Sequence, residues 1–146
     1  MEEIYGVIFP IPRQYMNRFF QDNKNVFIKP ATLFRSLKPG LMFYFYQSRK
    51  DTGIVGEARI KTVTFREDPI DFFKIFGDAI FLQKSEVEKY VSDNKKWVKM
   101  RKKHFEKTKK RPWFAIELEN ISKFDDKIEI QGFVPISGMY IEIIEH

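Results

Sequence analysis

Lys96, Lys99, Lys103, Lys107 and Lys110 recur at steps of three and four residues, with Lys102 beside Lys103. That spacing stacks side chains along one face of a helix. They belong to a dense window: residues 95–111 hold ten basic side chains and one acid, Glu106, a formal charge of +9. The remainder of the chain carries 16 basic against 19 acidic residues, so the whole net charge of +6 comes from this segment. Like charges at helical spacing cost tenths of a kcal/mol each, and a solvated face normally interleaves acids to avoid that cost. A polyanion would offset it, because each phosphate neutralised by a lysine releases counterions. Lys99, Lys102, Lys103, Lys110 and Arg111 are therefore candidate backbone contacts. The plain alternative is a solvated helix face. A membrane surface is the competing polyanion, but the basic side lacks the exposed Leu, Phe or Trp that an interfacial helix buries.

Other residues suit the same partner. Ser48, Arg49 and Lys50 follow an aromatic run, and an arginine fork binds phosphate in a bidentate way; an ordinary polar hairpin is the alternative. Tyr44 and Tyr46 share one strand face, and either ring could stack an unpaired base or pack in the core. Trp113 follows Arg111-Pro112 and is either core or a stacking wall.

Composition narrows the class. The chain has 146 residues, 43% of them hydrophobic and 16 of them Phe, enough for a single domain with a substantial core. With no Cys and two distant histidines, His104 and His146, disulfides, thiolate chemistry and a His or Cys metal site are not expected. No cofactor is expected either. No apolar run approaches the roughly 20 residues that cross a bilayer, and no signal-peptide pattern opens the chain, so a cytoplasmic location is expected.

The elements that must position these residues read as α+β. Strands are predicted over 3–10, 25–29, 41–47, 54–65, 113–121, 127–133 and 139–144, with Gly56 as a bulge. Pro12 opens a helix that presents Tyr15, Met16, Phe19 and Phe20. One or two helical turns fit 32–37. Asp68, Pro69 and Asp71 start a helix with Ile70, Phe73 and Phe76 on its inner face, ending at Gly77. Residues 85–88 read as a capping box for a long helix whose Val87, Val91, Val98 and Phe105 form a core stripe, with Tyr90 and Trp97 beside it. No repeat or linker divides residues 1–146.

The run Lys38-Pro39-Gly40-Leu41-Met42-Phe43-Tyr44-Phe45-Tyr46-Gln47-Ser48, then Gly53-Ile54-Val55-Gly56-Glu57-Ala58-Arg59-Ile60, resembles the shared core of the PUA-like superfamily, which includes PUA, ASCH and EVE domains. Within it the chain is most similar to an uncharacterised archaeal family. The resemblance implies a mostly antiparallel pseudo-barrel of about six strands with helical insertions. It implies a cleft that contacts RNA, or a modified base in it, with DNA as an alternative. ASCH domains carry Gly-x-Lys-x-x-Glu-x-Arg before the core strand. Here Lys29 matches, Thr32 stands where the Glu would be, and Arg35 comes one position late. A bacterial ASCH amidohydrolase acting on an acetylated cytidine uses a Lys and, three residues on, a Thr. That implies a second reading in which Lys29 activates Thr32 for attack on an amide, with Glu57 as the carboxylate candidate. Against it, Lys29 would merely end a strand in solvent with a near-normal pKa, and Thr32 would cap a short helix. In the binding reading, Lys29, Arg35, Ser48, Arg49, Lys50 and the ring of Tyr46 line one cleft. A protein-interaction module using the Phe-rich helix over 70–76 is a third reading.

Overall fold

The computed structural model describes residues 2–31, 36–48, 51–102, 112–130, 134–135 and 138–144, with the side chains of 2–3, 94–102 and 142–144 outside that description. Strand β1 (Glu2–Ile11) stops at Pro12, whose φ of −55° leads into helix α1 (Arg13–Phe20). Met16 and Phe19 are its buried residues, and the Phe19 ring packs 5.1 Å from both Phe45 and Phe81. Strands β2 (Val26–Pro30), β3 (Met42–Gln47) and β4 (Gly53–Arg66) follow. Helices α2 (Asp71–Phe76) and α3 (Lys84–Lys102) are inserted before β5 (Trp113–Ile128) and β6 (Met139–Ile144).

All six strands form one sheet in the order β2-β5-β4-β3-β1-β6. β1 and β3 run parallel, and the other neighbours are antiparallel. Phe9 on β1 and Phe27 on β2 are four strand spacings apart in this order, about 19 Å on a flat sheet. Their rings lie 5.0 Å apart, and Phe9 also reaches Phe43 at 5.4 Å and Phe114 at 5.7 Å. Only a strongly coiled sheet brings these rings together. The result is a barrel-like roll lined with phenylalanine whose edge strands are not laddered to each other, so the sheet stays open. Beside β2 run residues 79–81, where Phe81 N–H donates to Val26 O at 3.0 Å and Ile80 bridges Val26. That covers an otherwise bare edge.

The bulge at Gly56 is present, with register shifts against both β3 and β5. A Cβ there would come within 2.5 Å of the Phe20 ring, so α1 sits on β4 only because this residue is glycine. Asp68 caps α2 by accepting the Ile70 N–H at 3.0 Å, and Gly77 ends it at φ 58°. The ring fully buried on this helix is Phe72, whereas the predicted face of Ile70, Phe73 and Phe76 is half-buried.

Two expectations are corrected. The strand predicted over 127–133 does not begin anew at Lys127: β5 continues for 16 residues to Ile128, Asn120 at φ 56° absorbs the irregularity without breaking it, and 131–133 lie outside the described residues. The capping box of α3 is closed by Glu86, not Glu88, because the cap is Gln83, two residues before Ser85, and Gln83 N–H donates to Glu86 Oε1 at 2.8 Å. Arg18 clamps the same carboxylate, with Nη1 at 2.6 Å from Oε1 and Nη2 at 3.2 Å from Oε2. Val87 is fully buried and Val91 half-buried, as the stripe required, while Trp97, Val98 and Phe105 lie outside the described side chains. Among the described residues no helix is long and apolar enough to cross a membrane.

Candidate nucleic-acid interface

Lys29 lies next to the end of β2 and pairs across the ladder with Phe114, which pairs on its other side with Phe65 of β4. Directly paired residues point to the same face of a sheet, so the three side chains form one row. Phe114 is wholly buried and belongs to the aromatic core with Phe9 and Phe27. Phe65 stacks on it, centroids 6.5 Å apart and planes 20° from parallel, yet remains 46% exposed. At the other end of the row Lys29 is half-buried. Burial pushes its ammonium below the usual lysine value, and among the described residues no carboxylate forms an ion pair with it. The expectation of a near-normal Lys29 at a solvated strand end is thereby corrected. In the alternation of β2 Lys29 falls on the side of Phe27, which packs in the core, so the apolar surround removes water from its amine.

The row sits where the basic segment re-enters the sheet. Residues 95–111 run directly into Pro112, whose carbonyl accepts the Ala31 N–H at 2.9 Å, two residues from Lys29. Arg66, the last residue of β4, pairs in register with Trp113 and is exposed. Of the predicted backbone contacts, Lys99 and Lys102 fall within α3 with side chains outside the described set, and Lys103, Lys110 and Arg111 lie outside the described residues altogether. Thr32 and Arg35 also lie outside them.

The structure does not bring the other predicted cleft residues to this row. Ser48 follows β3, whose last residue Gln47 pairs with Gly53 at the start of β4, while Phe65 is near the other end of that strand. Twelve residues of β4 separate the two ends, on the order of 30–40 Å along the strand. Arg49 and Lys50 lie outside the described residues, between Ser48 and Asp51 in sequence. Tyr46 is 8% exposed in a second apolar cluster with Ile8, Ile54 and Val134, so its ring offers no free face for a base. Trp113 is likewise 8% exposed and meets Tyr90 edge-on at 5.4 Å, which makes it core and a seat for α3, not a stacking wall. Glu57 is paired with Tyr44, which packs on that second cluster, so it faces away from Lys29 and stands eight residues along β4 from Phe65. The grouping of Glu57 with Lys29 is therefore corrected. Burial and a hydrogen bond with Tyr5 push the Tyr44 phenol up to about 12.

A shallow groove of about 480 Å³ lies elsewhere, between the end of α1 and the middle of β5, with Phe20, Asn23, Lys24, Asn120 and Lys123 in its walls. Lys24 donates to Asp78 O at 2.5 Å and Asn25 Nδ2 to Leu118 O at 3.3 Å, so much of its polarity is spent on the fold. Among the described residues no group of three His, Cys, Asp or Glu could hold a metal ion.

The profile of a family described as a domain of unknown function (DUF365) matches residues 4–143. The chain belongs to this family. An uncharacterized protein of Methanocaldococcus jannaschii is 37% identical over 103 residues, 70% of this chain and 90% of that one. Among solved structures, ASCH from Zymomonas mobilis superposes with a TM-score of 0.66 over 94% of this chain and 87% of its own, at 13% identity. A tyrosine-to-phenylalanine variant of that protein gives 0.66 over 94% and 90%, at 12% identity. At such identities the likeness shows the fold, and the DUF365 chain has the PUA-like architecture of ASCH domains. Phe65 is the residue that sequence reasoning missed. Its only signal was a lone aromatic closing a strand just before Arg66-Glu67-Asp68, and its importance depends on register with Phe114 and Lys29, which no local pattern contains.

Proposed function

We propose that this DUF365 chain is an RNA-binding module. Residues 95–111, with Lys99, Lys102, Lys103, Lys110 and Arg111 among them, hold the phosphate backbone. Lys29 takes the strand at the corner where that segment joins the sheet, and Arg35, six residues on in sequence, is a further contact. The observation that carries this reading is the approach of a +9 segment in sequence to a partly desolvated lysine with no ion pair among the described residues: Pro112, which follows the segment, is hydrogen-bonded to Ala31, two residues from Lys29. A lysine partly stripped of water gains more from an arriving phosphate than a hydrated one does. Filter binding of single-stranded RNA, single-stranded DNA and duplex DNA across a salt series tests it. Steep salt dependence with RNA held most tightly is expected; salt-independent or absent binding overturns it. The protein works in the cytoplasm in this reading.

One observation favours a second reading, an amidohydrolase acting on a modified nucleoside: burial lowers the Lys29 pKa, which is what a lysine acting as base requires. Glu57 is not its carboxylate, since it faces the opposite side of the sheet. Release of acetate from acetylated cytidine, abolished by Lys29→Ala with the fold intact, would establish that reading. We expect none.

A further inference from the structure

We propose that Phe65 is the platform on which one unpaired base stacks, with Phe114 as its buried backing and Lys29 as the cation for the adjoining phosphate. The proposal rests on the RNA-binding reading and names the part of the ligand that the corner receives. Exposed aromatics on a sheet usually owe their position to packing on neighbours that also shield them. Among the described residues the ring contact of Phe65 is with Phe114, whose plane is nearly parallel to it, and almost half of the residue stays in solvent. That contact orients the ring before a stacking ligand arrives. Lys29 lies two strands away in the same row, about 10 Å between backbones, a gap that its four-carbon stem narrows. An aromatic face beside a cation at that separation matches a nucleotide, whose flat base and anionic phosphate are joined by a sugar. Arg66, the next residue, is exposed; alternation starts its side chain on the opposite face from the ring, and its Nη1 is spent on Phe65 O at 2.8 Å.

The occupant is a single-stranded segment, because a base inside a duplex presents only its edges and cannot cover the ring. Pro112, which follows the +9 segment in sequence, is hydrogen-bonded at this corner, so the chain's excess positive charge joins the sheet here, the complement of a phosphate backbone. The test uses the full chain, a short single-stranded RNA, and the same RNA with one abasic position placed in turn along it. The parent is expected to bind the intact strand about 5- to 150-fold more tightly than the worst abasic one, the range of a single base–aromatic stack. Phe65→Tyr should keep that difference. Phe65→Leu, which still fills the space over Phe114 but has no π face, should erase it while melting within a few degrees of the parent. If Phe65→Leu discriminates abasic RNA like the parent, stacking on Phe65 is overturned and the electrostatic binding reading stands. If the parent binds no RNA even at low salt, the binding reading fails and the stacking proposal falls with it.

Discussion

The two ends of β4 end in different chemistry. At the Gly53 end, among the described residues, one acid serves two cations: Asp51 lies 3.8 Å from Arg13 and 3.7 Å from Lys127, and its carbonyl accepts from Gln47 at 2.9 Å. At the Arg66 end Lys29 has no acidic partner among the described residues, Phe65 keeps a face in water, and a segment of +9 joins the sheet. At the first end the described cations already share an acid. At the second, a half-buried amine and an exposed ring lie in one row and would gain from an anionic, flat partner. In the proposed reading the contrast favours the Arg66 end, although basic residues occur at both.

The strongest way to break that contrast is to neutralise the segment at the Arg66 end. Replacing Lys99, Lys102 and Lys103 with Ala should flatten the salt slope for single-stranded RNA by about 0.7 per lost contact, roughly two in all. At 50 mM salt this corresponds to a loss of about 100-fold or more in affinity, similar for every sequence tested. Thermal melting should change little, since the stripe that docks α3 runs through Val87 and Val91. Parent-like binding by the triple variant would remove the electrostatic argument.

Lys29→Met isolates the half-buried amine and should cost about tenfold in affinity, the worth of one charge-assisted contact. It should not cost stability. The folded protein holds the Lys29 pKa below the unfolded value of about 10.4, so the unfolded chain keeps its proton to higher pH. Stability is therefore penalised at neutral pH and recovers as pH rises from the folded to the unfolded pKa. Lys29→Met should melt at or above the parent temperature at pH 7 and lack that alkaline recovery. A variant that both melts lower and binds normally would make Lys29 a structural residue.

Much of this architecture was readable before any coordinates. The phenylalanine-rich core, the glycine bulge, the Asp68 cap and the order of strands and helices follow from alternation, capping chemistry and turn residues, all of which are local. What stayed hidden depends on register and on curl. Tyr46 and Lys29 both looked like cleft residues, yet they lie near opposite ends of the sheet and pack against different clusters, because β4 is long enough to part them. Glu57 sits near the aromatic strand in sequence and on the wrong face in space. Phe65 gained meaning only from partners 36 and 49 residues away in sequence.

A smaller effect sharpens how the basic segment is held. The Arg18–Glu86 clamp joins α1 to the first turn of α3, and Arg18 keeps the Glu86 carboxyl below its usual range. A depressed carboxylate stabilises above its unfolded pKa of about 4.3, and that contribution fades as pH falls through the folded value. Glu86→Gln should lower stability by roughly 0.5–1.5 kcal/mol at pH 7 in chemical denaturation and by little at pH 3. RNA affinity should move by less than about threefold, because the clamp seats the helix start while the lysines lie beyond it.

The smallest expected effect belongs to the Gly53 end. Arg49 follows Ser48 directly, and a phosphate held there in two parallel bonds would depend on the planar guanidinium fork. Lysine keeps the charge and loses the fork, so Arg49→Lys separates bidentate recognition from general attraction. Because Asp51 already serves the described cations at this end and the Lys29 row lies at the other end of β4, on the order of 30–40 Å along the strand, we expect the affinities of variant and parent to agree within about twofold. General attraction survives the exchange, and its share is small beside that of residues 95–111. A loss of fivefold or more in a direct titration would carry the RNA path over both ends of the strand. The corner at Phe65 would then be one contact among several along the sheet.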